Sequence, residues 1–196
     1  MVKILGVSGS PRQGGNTDTI LDSFLEGARQ AGAETVKVCL RDYAIHGCIG
    51  CEKCAKDRVC KQFQDGMQLL YPLIEEARGM VIGSPTYNYN ITPETKAFID
   101  RLYPYYEFTD DRPRQYRSYL DGQGRKAIAF AVCEQTVIED MGITLEAMSK
   151  PLGFLGHEVI CEFPVLGQFA RGIVKREKDK LAEAVELGRK LAAALR

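Results

Sequence analysis

"KILGVSGSPRQGGNT", residues 3–17, sets a short apolar run against a loop of glycine, serine and asparagine. The run reads as a strand over 3–9, and the polar loop leads directly into a helical pattern at 17–31. The same alternation recurs along the chain. Strand-like runs follow at 34–40 (ETVKVCL), 79–85 (GMVIGSP), 126–132 (KAIAFAV) and 157–163 (HEVICEF), several of them apolar nearly throughout, as strands covered on both faces are. Helical patterns lie among them at 65–77, 93–103, 140–153 and about 175–195. Five such units predict an α/β three-layer sandwich, a five-stranded parallel sheet with helices on both faces, because parallel neighbours need crossover connections.

The composition fits that expectation. Hydrophobic residues make up 45% and charged residues 27% of 196 residues, the balance of a globular chain with one sizeable core. The 26 basic and 26 acidic side chains cancel, with no run of like charge, so neither nucleic acid nor an anionic membrane is indicated as a partner. The N-terminal apolar run is too short for a signal peptide or a bilayer span, which predicts a cytoplasmic protein. The whole chain, 1–196, is expected to be one domain with a cysteine loop at 46–64 and a tyrosine-rich excursion at 103–125.

Ligands of such sheets bind beyond the carboxyl ends of the strands. The first loop contains no G-x-G-x-x-G and no Gly-Lys-Ser/Thr, so it is neither a dinucleotide nor a triphosphate loop. It offers the small polar side chains of Ser8, Ser10, Asn16 and Thr17, the cation Arg12, and the amides of a helix N-terminus. Those groups suit one terminal phosphate, although Asn16 or Thr17 could equally serve as a helix cap. The third loop, 83–103, places two tyrosines and two asparagines before a helix, giving stacking surface and polar groups for the edge of a flat heteroaromatic ring.

Taken together, "GSPRQGGNT" (9–17) and "GSPTYNYNITPETKAFIDR" (83–101) resemble the NADPH-dependent FMN reductase-like branch of the flavodoxin-like fold. The resemblance implies FMN, with its phosphate held by Ser8, Ser10, Arg12, Asn16 and Thr17 and its ring against Pro85, Thr86, Tyr87, Asn88 and Tyr89. Lys96, Asp100 and Arg101 match a recurrent helix segment read as structural, and "CEQT" (133–136) is expected to approach the ring.

Four cysteines fall within "CIGCEKCAKDRVC", 48–60, at spacing C-x2-C-x2-C-x5-C, after the second strand and so at the same edge of the sheet. By spacing alone they could hold iron and sulfide, zinc, each other, or nothing. The run shares its first spacings with ferredoxin-type motifs. Zinc usually takes separated ligand pairs or a histidine at set distance, and His46 stands two positions before Cys48. The motif resembles that of the iron-sulfur flavoproteins, which implies one 4Fe-4S cluster on Cys48, Cys51, Cys54 and Cys60. Cys39, Cys133 and Cys161 read as small buried hydrophobes.

The resulting expectation is a flavin-dependent oxidoreductase passing electrons between cluster and FMN, fed by a donor such as ferredoxin or NAD(P)H, with no side chain singled out as catalytic. Alternatives are a cluster-free NAD(P)H-dependent FMN, quinone or nitro reductase, and a binding module that senses flavin redox state. Tyr103, Tyr105, Tyr106, Phe108, Tyr116 and Tyr119 offer contact surface for a homodimer or homotetramer.

Overall fold

The computed structural model describes residues 1–55 and 57–196; Lys56, within the predicted cysteine loop, lies outside them. In chain order the elements are β1 (Lys3–Ser8), α1 (Asn16–Gln30), β2 (Glu34–Cys39), α2 (Met67–Glu76), β3 (Gly79–Pro85) and α3 (Pro93–Asp100). Then come β4 (Tyr106–Phe108), β5 (Tyr116–Ser118), β6 (Arg125–Val132), α4 (Glu146–Phe154), β7 (His157–Val165) and α5 (Lys178–Ala194). Five strands form one sheet in the order β2-β1-β3-β6-β7, every neighbour parallel. The parallel sheet is the one the alternating pattern predicts, and its strand order is the flavodoxin-like one that the resemblance implies.

Side chains along the central strands alternate between two apolar layers. Leu5, Val7, Met80, Ile82, Ala127 and Ala129 face Leu70 and Ile74 of α2, Phe98 of α3 and Met148 and Leu152 of α4. Ile4, Val81, Ile128 and Phe130 face the other way, onto Ile20, Leu21, Phe24 and Leu25 of α1 and Ala184 and Leu191 of α5. With both faces covered, strand residues of either parity are apolar, which is why the runs read as continuous rather than alternating.

Two helices are shorter than their periodicity suggests. The pattern at 140–153 becomes helix only from Glu146, because residues 138–141 form a 3-10 turn and Gly142 then takes φ 57°. The pattern at 93–103 stops at Asp100, and Tyr103–Tyr105 form a separate 3-10 turn around Pro104.

The tyrosine-rich excursion is an antiparallel hairpin, β4 against β5. It is joined to the cysteine loop: Arg114 pairs with Glu52 at 2.7 Å, Glu107 pairs with Arg58, and the Arg58 guanidinium lies 4.7 Å from the centre of the Tyr119 ring. Its aromatic rings stack within the hairpin, Tyr103 on Phe108 at 4.8 Å, and reach α4 through Tyr116 and Phe154.

Candidate functional site

The strand order reverses between β1 and β3, so the loops after these strands border the crevice where ligands of open α/β sheets bind. The two loops are bolted together. Gly9 N donates to the Gly83 carbonyl at 2.7 Å, and the Thr92 hydroxyl donates to the Gly9 carbonyl at 2.7 Å while capping α3 by accepting from Thr95 N. A Cβ on Gly9 would stand 1.8 Å from the Thr95 hydroxyl, so only glycine admits this approach.

Beneath the first loop lies a buried carboxylate. Asp18 accepts from the Ser8 hydroxyl at 2.6 Å, from Gly14 N at 2.8 Å and from both terminal nitrogens of Arg41 at 3.1 and 2.9 Å. Burial pushes its pKa up, but Arg41, Ser8 and Gly14 outweigh burial and hold it below the ordinary carboxylate value. Arg41 also donates to the Ser10 carbonyl at 3.0 Å. The braced loop ends at Gly15, which caps α1 without a side-chain bond, so the amides opening the helix are left for a ligand.

Above this loop is a cavity of about 310 Å3. Ser10, Arg12, Gly15, Asn16 and Thr17 form one wall, and Pro85, Thr86, Tyr87 and Asn88 another. Tyr87 and Asn90 exchange backbone hydrogen bonds at 2.8 and 3.1 Å across a two-residue turn, and Asn88 and Tyr89 at its tip both have positive φ, 49° and 64°. That is the conformation a primed turn requires, and asparagine tolerates it best after glycine. The remaining lining is Val132 and Glu134 after β6 and Gln168, Phe169 and Arg171 after β7.

Two predicted residues lie elsewhere. Ser8 is fully buried, with its hydroxyl engaged by Asp18, so it supports the loop from below. Tyr89 is outside the lining; its carbonyl accepts from Ile143 N at 3.0 Å, which docks the turn onto the segment before α4. Asn16 does line the cavity, but its side chain neither caps α1 nor is free: Nδ2 donates to the carbonyls of Gln168 and Ala170 at 3.2 and 3.0 Å, and Oδ1 accepts from Val174 N at 3.2 Å. Sequence reasoning did not anticipate Gln168, Phe169 and Arg171. The only local signal is their place after an apolar strand of the sheet.

The donor set fits a flat ring with a phosphate tail. Thr86 Oγ1 and Gln168 Oε1, both in the lining, are buried without a hydrogen-bond partner in the protein, so each has bonding capacity for a ligand. Arg12 and the uncapped helix start offer charge and amides at the other wall.

The four cysteines of the second loop line a single narrow pocket with Tyr71, Arg101 and Tyr103. Cys48 and Cys51 are exposed and Cys54 and Cys60 buried, and all are free thiols. Burial, with the neighbouring Cys60, Cys48 and Cys51, pushes the Cys54 thiol up to about 11. The sulfurs are not drawn to coordinating distance: among the described residues no three His, Cys, Asp or Glu side chains are arranged to hold a metal ion. The donor chemistry nonetheless suits a thiolate-bound metal group. Four thiols share one pocket, and Arg101, 2% exposed, lines it with its Nε unpartnered.

Arg101 also fastens the loop. It pairs with Asp65 through two nitrogens at 2.8 and 3.1 Å and donates to the His46 carbonyl at 2.9 Å. Asp65 further accepts from His46 N and Met67 N; burial raises its pKa, but Arg101 and these amides prevail and hold it at about 2. His46 stacks on Phe63 at 4.9 Å and its ring faces Asp65, so it braces the loop and stays out of the cysteine pocket. Among the other cysteines Cys133 is buried, while Cys39 and Cys161 are half-buried.

A five-stranded parallel sheet in the order β2-β1-β3-β6-β7 with a cavity at its switch point defines a flavodoxin-like protein. Within that class the chain belongs to the NADPH-dependent FMN reductase family of flavin oxidoreductases, whose sequence profile matches residues 2–126. It is 38% identical over 104 residues to an iron-sulfur flavoprotein of Archaeoglobus fulgidus, covering 53% of this chain and 47% of the relative. It is 34% identical over 103 residues to an iron-sulfur flavoprotein of Methanocaldococcus jannaschii, covering 53% of each. The chain thus spans about half the length of the curated relatives it matches. An NAD(P)H:quinone oxidoreductase from Methanothermobacter marburgensis shares the fold with a TM-score of 0.73 at 16% identity, over 97% of this chain and 98% of that one. No helix among the described residues is long and apolar enough to cross a membrane.

Proposed function

We propose that the protein is an FMN-dependent oxidoreductase of the iron-sulfur flavoprotein type, in which electrons pass between a 4Fe-4S cluster on Cys48, Cys51, Cys54 and Cys60 and FMN in the cavity between the first and third loops. The observation that carries this reading is the shared framework of the two sites. Arg41 stands where the chain enters the cysteine loop and holds the phosphate loop, through Asp18 and the Ser10 carbonyl; Arg101 ends the segment that follows the ring loop and holds the cysteine loop, through Asp65. Bound there, FMN exchanges one or two electrons and the cluster one, so the pair links carriers of different stoichiometry.

The chain's own residues bind and orient. Ser10, Arg12, Thr17 and the first amides of α1 receive the phosphate, and Thr86 Oγ1 and Gln168 Oε1 receive polar groups of the ring and its side chain. Tyr87 gives stacking surface. Cluster uptake requires the loop between its pins to draw four sulfurs together and to deprotonate the Cys54 thiol, whose pKa burial raises to about 11.

Anaerobic reconstitution with iron and sulfide tests the reading. About four irons and four sulfides per chain are expected, and Cys51→Ser or Cys54→Ser should abolish iron uptake while leaving FMN bound. Protein that takes up no iron under these conditions would refute it. A cluster-free reductase fed directly by NAD(P)H is the second reading, favoured by the exposure of Tyr87 (40%) and Phe169 (64%) at the cavity, where a nicotinamide could stack. Reduction of FMN by NADPH in the Cys54→Ser protein is the expected result under that reading.

A further inference from the structure

The segment between β7 and α5 lies beyond the part of the chain that the family profile matches, residues 2–126. It returns across the sheet to the start of α1, where Asn16 fixes it at three points: the carbonyls of Gln168 and Ala170 and the amide of Val174. Gly167 N donates to the Gln135 carbonyl at 2.9 Å and Gln168 N to the Cys133 carbonyl at 2.9 Å, which fasten the loop to the segment after β6, and Gln168 Nε2 donates to the Leu166 carbonyl at 2.9 Å. The stretch carrying Phe169 and Arg171 is therefore held at set points on either side. Arg171 lines the cavity together with Arg12, and its Nη2 stands 3.6 Å from where a Cβ on Gly14 would be, beside the first loop.

Neither guanidinium has a hydrogen-bond or ion-pair partner among the described residues. The acidic side chain in the lining, Glu134, stands on the loop after β6 and bonds to neither. The arginines that hold the two neighbouring loops are paired: Arg41 with Asp18, Arg101 with Asp65, Arg114 with Glu52. Two unpaired guanidiniums lining one cavity, next to uncapped helix amides, make a site for a dianion.

We propose that the 166–174 loop is the second jaw of the phosphate site. Arg171 binds the terminal phosphate monoester of FMN together with Arg12, and Asn16 is a positioning residue that holds this jaw, not a phosphate ligand. The inference rests on the FMN reading above and adds residues that the first-loop motif does not contain.

Titration of the flavin-free protein with FMN and with riboflavin, read by fluorescence quenching, tests it. Arg171→Ala should weaken FMN at least tenfold and leave riboflavin unchanged, and Arg171→Lys should recover part of the loss. Asn16→Ala should also weaken FMN, and the double variant should lose less than the product of the two single losses, because Asn16 acts in part through Arg171 and in part by holding Gln168. Unchanged FMN affinity in Arg171→Ala, or an equal loss for both flavins, overturns the proposal. Losses that multiply in the double variant overturn the role given to Asn16. Arg171 is exposed, so its variants decide the matter even where Asn16→Ala fails to fold. A parent that binds neither flavin overturns the FMN reading itself and the jaw with it; a parent that binds FMN with no loss on Arg171→Ala overturns the jaw alone.

Discussion

The loops after β1 and β2 leave neighbouring strands, yet they are held in opposite ways. The first is braced along its length: Ser8, Gly14 and Arg41 converge on Asp18, Gly9 is clamped between Gly83 and Thr92, and Ser10 accepts from Arg41. The second is fixed at its base by Asp65 and Arg101 and at its rim by surface pairs of Glu52 and Arg58 with the hairpin, while its sulfurs stand apart around a narrow pocket. The contrast follows the two kinds of ligand. A phosphate is recognised by donors already in place, and their preorganisation lowers the entropy lost on binding. A metal group bound through thiolates forms bonds strong enough to order its own loop, so binding and folding are coupled.

Removing the base pin should have the largest effect. Asp65→Ala leaves Arg101 buried without its counter-ion and should cost about 4 kcal/mol in urea unfolding. It should also abolish iron uptake while FMN affinity stays near that of the parent, since the Asp18 brace is untouched. Equal loss at both sites would break the comparison.

Gly9→Ala comes next, at about 3 kcal/mol, because the added methyl overlaps the Thr95 hydroxyl and presses on the Gly83 carbonyl. Here FMN binding should fail and iron uptake survive, the reverse of the first variant.

Acid separates both loops from the far end of the sheet. His157, buried at the start of β7 with neither ring nitrogen bonded, has its pKa lowered to about 4 by burial and then by Arg125. The unfolded chain binds its proton near the ordinary 6.5, so the stability of keeping His157 neutral is complete above that value and is lost as pH falls toward 4. Asp65, held at about 2, keeps its contribution throughout this window and loses it only at lower pH. Between pH 7.5 and 4.5 the parent should lose about 2 to 3 kcal/mol in urea unfolding, and His157→Met should lose much less. An identical loss in His157→Met would place the acid sensitivity at the loops instead.

The smallest effect should be at Gly47, where a Cβ would meet nothing within 4 Å. Gly47→Ala should change stability by less than about 0.5 kcal/mol; a substantial loss would show that the entry to the second loop is braced by more than Asp65 and Arg101.

The five-stranded sheet was readable because its strands are apolar on both faces, as "GMVIGSP" and "KAIAFAV" show. The cavity walls after β1 and β3 were readable because each is a contiguous motif. The third wall was not: Asn16 meets Gln168, Ala170 and Val174 across more than 150 residues of chain, and nothing local to "GQFAR" announces it. Asn16 reads locally as a phosphate ligand or a cap, whereas its side-chain bonds are long-range. Gly66 shows the converse case. In "DG" the aspartate takes the arginine, and the glycine is required because a Cβ there would stand 2.8 Å from the Tyr43 Cβ and 3.0 Å from the Ala44 carbonyl.

That close approach closes the ring of chain from Tyr43 to Gly66, for Gly66 N also donates to the Ala44 carbonyl at 2.8 Å. A segment whose two ends meet in this way is thermodynamically separable from what it is attached to: lengthening or shortening it changes closure entropy only as the logarithm of its length, about 0.6 kcal/mol for each doubling. Closure alone would register a different number of residues between Cys54 and Cys60 as little more than that, any further cost coming from the contacts Arg58 makes with Glu107 and Tyr119. Closure thus restrains the spacing of the thiols only weakly; within the fold it is the contacts of Arg58 with Glu107 and Tyr119, between Cys54 and Cys60, that restrain it.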